Sequence, residues 1–226
     1  MWSDIFYPEN PWRREQLIRR SQELHDLMKN NFRATNQLID VMNKYLSCSF
    51  EHIKLNESAT LRENCDMIIG SIHKIQAEVE RIDVKLKEKL EPTLYEKLRN
   101  LPSLSSIDFK AISTAFTVIC GVGTLGTSAL FIHLVRNGTI LANVSRTFLK
   151  IGATTLGTIG LAVVFLGIDM IIEAIKGKIE GDKLKAELDQ YDQALQEFRP
   201  ASEKYQDNIT YVLAKIEILN EYKMLG

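Results

Sequence analysis

Between Leu61 and Leu86 the apolar positions advance by alternating steps of four and three. Leu61, Cys65, Ile68, Ile72, Ile75, Val79, Ile82 and Leu86 fill this seam with no polar member, which is the a/d pattern of a heptad repeat. A strand would need period two. The spacing therefore predicts a long helix from about Ser58 to Asn100, bent at Pro92 where an amide donor is missing, with Leu94 and Leu98 extending its apolar face.

A second seam lies near the carboxyl end. Leu184, Leu188, Tyr191, Leu195, Phe198, Ser202, Tyr205, Ile209, Val212, Ile216 and Leu219 keep the same rhythm, with Ser202 the one polar member. Pro200 removes a hydrogen bond without changing the phase, so one kinked helix is expected rather than two. The amino-terminal segment is less regular: Leu17, Leu24, Leu27, Ala34, Leu38, Val41, Tyr45 and Cys48 fit a heptad, Arg20 and Asn31 intrude on it, and Pro11 suits a first helical turn. Each of these helices has one apolar stripe and charged remaining faces, so each needs a partner to be stable. Antiparallel pairing of the first two, across a connection near residue 55, would bring Cys48 and Cys65 within a few layers of each other.

The middle of the chain reads differently. From Ala111 to Val135 and from Ile151 to Ile168 there is no charged residue, and at helical rise these runs reach about 37 Å and about 27 Å, against a hydrocarbon core near 30 Å. Phe116, Ile119, Leu125 and Leu130 are the apolar candidates for membrane contact in the first run, and Gly157, Leu161, Val164, Phe165, Leu166 and Ile168 in the second. The second is the better span, although Asp169 and Glu173 at its end would need an interfacial or packed setting. Core helices of a soluble bundle give the same pattern, since both runs are rich in Thr, Ser and Gly.

Gly121, Gly123 and Gly126 form a G-x-G-x-x-G pattern. In a dinucleotide site it would follow a strand, and an acidic residue about 20 positions on would hold the ribose. Between Asp108 and Asp169 the chain has no acid at all, so the nucleotide reading fails. Small residues such as Gly123, Thr127, Gly152, Gly157 and Gly160 are instead expected to let helix backbones approach closely.

Charge and cysteine usage narrow the function classes further. The formal net charge is −1, which supplies no global field for nucleic acid. Residues 1–110 carry 17 acids and 17 bases, residues 111–168 only Arg136, Arg146 and Lys150, and residues 169–226 carry 12 acids and 8 bases. Cys48, Cys65 and Cys120 fit neither a disulfide framework nor a zinc site, so a reducing exposure is expected. His25, His52, His73 and His133 are too widely spaced to build a metal site and read as polar-face residues. His133 differs in setting, since it ends an apolar run beside Arg136 and could face an interface or a cavity. The Lys85–Leu90 run "KLKEKL" reads as a solvated helix face rather than a lipid contact. Sequons at Asn137 and Asn143 fall in the expected connection between the apolar runs. No nucleophile elbow, zincin motif or phosphate loop occurs, and nothing points to an enzyme, a cofactor or a small-molecule substrate.

Several blocks together resemble the single-pass membrane and coiled-coil domain-containing protein 3 family: "YPENP" at Tyr7–Pro11 followed by Arg13, Arg14 and Glu15, "ENCD" at Glu63–Asp66, "KLEPTLY" at Lys89–Tyr95, "GIDMI" at Gly167–Ile171 and "ASEKY" at Ala201–Tyr205. The resemblance implies a membrane segment and coiled coils, and no biochemical activity.

The expected architecture is all-α: an elongated bundle of long amphipathic helices with an internal apolar pair or hairpin. Residues 1–110 would form a long helical pair, 111–176 the membrane-associated segments, and 177–226 an amphipathic helix packing on the first two. A single crossing would put that last helix across the membrane from its partners, whereas a hairpin keeps all three on one side. The expected role is a membrane-anchored coiled-coil interaction or scaffold protein with its helical part in the cytosol, its partners a lipid membrane and a homo- or hetero-oligomeric chain. The alternative is a bundle that stores an apolar hairpin and inserts it, as α-helical pore formers do. Changing Ile68, Ile75 and Ile82 together to Lys should cost more than about 4 kcal/mol, because buried charge must leave water or open the packing; unchanged helicity and melting in circular dichroism would remove the seam argument.

Overall fold

In the computed structural model the described residues are 10–98, 105–153 and 181–224, with the side chains of residues 10, 181–184 and 219–224 excepted. They form six helices and no strand: α1 (Asn10–Leu46), α2 (Leu61–Lys89), α3 (Pro92–Leu98), α4 (Ser106–Cys120), α5 (Leu125–Gly152) and α6 (Gly181–Met224). The protein is an all-α bundle. Its contacts divide it into two units. The first comprises Met1–Phe32, Lys54–Ile69 and Asn143–Lys204, and the second Arg33–Ile53, Gly70–Ala142 and Tyr205–Gly226. The expected boundary between residues 110 and 111 falls inside α4 and inside the second unit.

The twelve seam residues named from the heptads, Leu61, Cys65, Ile68, Ile72, Ile75, Val79, Ile82, Leu86, Leu188, Leu195, Val212 and Ile216, are all buried. Burying a Leu or Ile stabilises by about 1.5–3 kcal/mol, which is why these faces close within the chain. On α1 the buried face is broader than a two-position seam. Leu27 is half-buried while Met28, Ile39 and Met42 are in the core.

In the first unit α1 and α6 run in the same sense, as Arg20 pairs with Asp192 at 2.5 Å, Arg199 Nε with Glu23 at 2.5 Å, and Asn31 Nδ2 donates to Ser202 Oγ at 2.9 Å. The polar intrusions of the two seams therefore meet each other. In the second unit the hydroxyls of Thr35 and Tyr205, both fully buried, lie 2.9 Å apart. Each polar residue that breaks one apolar stripe has its partner on the other, which removes the cost of burying it alone. Pro200 lies inside an uninterrupted α6, as its phase suggested.

The connection between α1 and α2 is not a tight antiparallel turn. Helix α1 ends at Ser47, whose φ of 51° is left-handed, and residues 47–60 return along α1 as an extended strap. In the second unit Asn43 donates to the Phe50 carbonyl and accepts from the Phe50 amide, both at 2.9 Å, and Asn36 does the same with Ile53 at 2.9 Å. Seven helical residues rise about 10.5 Å, and three extended residues cover about 10 Å, so the two amides meet the strap in register. In the first unit Asn64 clamps Asn56 in the same way, at 2.9 Å for both bonds. Helix α2 then starts under a capping box, with the Glu63 amide donating to Thr60 Oγ1 at 3.1 Å and the Thr60 amide to Glu63 Oε2 at 2.7 Å.

The strap, like α1 and α2, contributes residues to both units. Cys48 belongs to the second unit and Cys65 to the first. Helix α2 also stops earlier than expected. It ends at Lys89, and Pro92 opens a separate helix, α3, whose Tyr95 hydroxyl donates back to Asp83.

Asn43→Ala should cost about 1–3 kcal/mol, since it leaves a peptide N–H and C=O of the strap without partners, and it should speed amide exchange at Phe50. Gln37→Ala on the exposed side of α1 is the matched control. Equal denaturation midpoints for the two variants would show that the clamp does not hold the strap.

Candidate functional site

The apolar pair α4 and α5 is the candidate site, since it holds the first apolar run. Among the described residues no single helix is long and apolar enough to cross a membrane; this pair, bent by 78° at a short break, passes on length and composition only when joined. The run from Ala111 to Val135 is thus two helices rather than one rod.

The break is built from the glycine motif. Helix α4 opens with a capping box, Ser105 Oγ accepting from the Asp108 amide at 3.1 Å while the Ser105 amide donates to Asp108 at 3.2 Å. Lys97 joins the same carboxylate at 3.2 Å. These hydrogen bonds, led by those from Ser105, hold the Asp108 carboxyl below its ordinary range. At the other end Gly121 adopts φ 74° and its amide donates to the Thr117 carbonyl at 2.9 Å, the left-handed cap that favours glycine. Two residues on, the chain crosses its own helix. A Cβ on Gly123 would lie 2.0 Å from the Ser113 carbonyl oxygen, and the Ser113 hydroxyl donates to the Gly123 carbonyl. Thr124 then opens α5, its Oγ1 accepting from the Thr127 amide at 3.1 Å, and Thr127 Oγ1 donates to the Tyr45 carbonyl at 3.1 Å. A helix, not a strand, precedes the motif. Gly121 and Gly123 let the chain turn a 78° corner between the two helices. Gly152 does serve a close approach, with its Cβ position 3.3 Å from Arg62 Cγ on α2.

The predicted membrane residues separate accordingly. Phe116 and Leu130 are fully buried, and Phe116 packs edge-on to Phe131 with centroids 5.5 Å apart. Ile119 and Leu125 are half-buried. Gly157, Leu161, Val164, Phe165, Leu166 and Ile168 lie outside the described residues, as does Gly160. Residues 136–150, expected as a connection carrying two sequons, continue α5 as helix. Asn137 Nδ2 donates to the His133 carbonyl at 3.0 Å, so this sequon sits in a helical turn. The outward side of α4 shows Ile107, Ala111, Thr114 and Val118, with Ile107 82 % and Val118 64 % exposed.

Cys120, at the end of α4, is close to Cys48. Gly121 faces Ser47 Oγ at 3.6 Å from its Cβ position, and burial, followed by the Glu78 carboxylate and the Cys120 sulfur, pushes the Cys48 thiol up to about 12. Burial likewise pushes Cys120 up to about 11, with Arg81 opposing it. Antiparallel pairing of the first two helices would bring Cys65 within a few layers of Cys48; in the fold Cys120 shares the second unit with Cys48 and bears on its thiol. All three thiols are free and protonated at neutral pH.

The histidines do not converge, and among the described residues no cluster of His, Cys, Asp or Glu could hold a metal. His52 Nε2 lies 2.8 Å from Asp40, and His25 lies 3.7 Å from Glu57. His133 faces a cleft between α5 and α6, its Nε2 2.9 Å from Asn208 Oδ1 and its ring 5.8 Å from that of Tyr211. Burial holds it below the usual histidine range.

Gly123→Ala should destabilise by about 1–3 kcal/mol, because backbone cannot yield to the new methyl as a side chain could. Gly138→Ala in α5, where a Cβ meets nothing within 4 Å, should stabilise by up to about 1 kcal/mol. Thermal melts of the two variants that shift in the same direction would refute the crossing at Gly123.

No solved structure matches the chain. Its sequence matches, over residues 13–180, the family described as protein of unknown function DUF4533. That span begins in α1, includes the strap, the capped start of α2, the reversal at Gly121–Thr124 and all of α5, and covers well over half of the residues. The chain is therefore a member of the DUF4533 family.

Proposed function

We propose that this protein is a non-catalytic helical interaction protein attached to a membrane by the part of the second apolar run beyond Gly152, with its described helices outside the hydrocarbon and on one side. The observation that carries this reading is the packing of the run's two flanks. On one side Phe148 and Lys150 of α5 meet Phe198 and Glu197 of α6, with ring centroids 5.2 Å apart and an ion pair at 2.5 Å. On the other, Leu188 and Leu195 are buried in the same first unit, where Asp192 pairs with Arg20. A single crossing would pull these flanks to opposite faces, exposing both aromatic rings and the α6 stripe. A segment that enters and leaves on one face keeps them together.

The burial of Phe116 and Leu130 supports leaving the first apolar run out of the lipid. The resemblance to a membrane and coiled-coil family implies a membrane segment, though as a single pass, from which the same-side reading departs. The reduced cysteines are consistent with a cytosolic setting for the units. With the predicted seams closed within the chain, partners would dock on outward faces rather than on the heptads. A second reading has one observation in its favour: α4 and α5, bent by 78°, are an apolar pair already packed in a bundle, which could open and insert.

The topology is tested with single accessible cysteines placed before Lys110 and after Lys178, in a chain otherwise lacking cysteine, labelled in sealed vesicles. Both should react from one face. Labelling from opposite faces would overturn the same-side arrangement. Full-length protein should remain with membranes in alkaline carbonate, whereas a detergent-free soluble species would favour the stored hairpin.

A further inference from the structure

The cleft between α5 and α6 in the second unit has a volume of about 550 Å³, within the roughly 300–1,000 Å³ range of small-molecule sites. Ala129, Ile132, Val212 and Ile216 form its apolar wall, and Tyr211 and Ile218 stand at its edge, 53 % and 51 % exposed. Such large apolar side chains gathered around one concavity indicate a binding surface rather than ordinary scattered exposure. The charged residues lining it are Arg136 and Lys215, with no acid among the lining residues. Lys215 Nζ lies 4.8 Å from the Tyr211 ring centroid. Ile132 and Arg136 also border a smaller cavity of about 250 Å³, lined further by Asp83, Tyr95, Leu98, Phe131 and Val135.

We infer that this cleft binds one long-chain fatty acid as its carboxylate. The apolar wall takes the alkyl chain, and Lys215 takes the head. The sign of the charge selects an anion, and a carboxylate offers the Lys215 ammonium a charge-assisted hydrogen bond stronger than a neutral one. Among the described residues Lys215 makes a cation–π contact with Tyr211 at an exposed site, from which its ammonium hydrogens can turn toward the head. His133, desolvated beside Asn208, is neutral at pH 7 and offers a polar wall without a third positive charge. A single chain suits the volume, and a diacyl lipid would overfill it. This site lies in the second unit and does not depend on the membrane attachment proposed above.

The experiment uses the full-length chain and a palmitate analogue carrying a photoreactive diazirine in its tail, with labelled peptides identified by mass spectrometry. Labelling is expected on α5 around Ile132 and on α6 around Tyr211 and Ile218. Unlabelled palmitate should compete, and hexadecyltrimethylammonium, with the same tail and opposite charge, should compete at least tenfold less well. Lys215→Glu, on an exposed side chain, should reduce labelling at least tenfold without changing the melt, and Ala129→Trp should abolish it by filling the cleft. If Ala129→Trp lowers the melting temperature, Lys215→Glu decides alone. Labelling spread over the whole surface, equal competition by the ammonium compound, or unchanged labelling in a folded Lys215→Glu variant would each overturn the assignment.

Discussion

Two side-chain amides, Asn36 and Asn43, determine how the rest of this chain can be connected. Each offers the strap a donor and an acceptor in the geometry that a neighbouring strand would offer, and their spacing on α1 matches the spacing of Ile53 and Phe50 on the strap. An extended segment on the surface of a helix has no ladder to satisfy its backbone. The asparagines supply one. Because the strap can lie down, the chain needs no tight turn after α1, and it leads directly into the capped start of α2.

The buried polar residues add specificity to this arrangement. An apolar stripe alone permits a helix to slide by a heptad with little loss, whereas Asn31 opposite Ser202 and Thr35 opposite Tyr205 are satisfied in one register only. Sliding would bury hydroxyl and amide groups without partners, at roughly 1–3 kcal/mol for each. The surface ion pairs contribute much less, since Lys150 and Glu197 remain largely in water.

Periodicity made the long helices legible because burial follows it so closely: every heptad position named on α2 lies in the core. The direction of the helices was not legible, because a heptad is the same read in either sense. The strap was hidden for a related reason. Residues 47–60 mix polar and apolar types without a period, and the signal that could have found them, asparagines at positions 36 and 43 with a third at 64, looks like ordinary surface polarity until the partners are seen. Apolar composition from Ala111 to Val135 suggested one continuous helix, yet the carbonyl of Ser113 leaves no room for a Cβ on Gly123, and the rod becomes a corner. Arg20, Asn31 and Ser202, which marred the seams as text, are partners in the fold, and only three-dimensional pairing could reveal that.

The joining of α1 to α6 also has a consequence for biosynthesis. Asn31 and Ser202 are 171 residues apart, so α1 leaves the ribosome well before α6, the helix that satisfies it. At about 5–20 residues per second this delay is roughly 10–30 s. Throughout that interval the apolar face of α1 and the buried side of α5 lack the surface that finally covers them, and closing so distant a contact is slow in itself. A nascent chain in this state is a client for holding chaperones, and for any apolar surface that reaches it first.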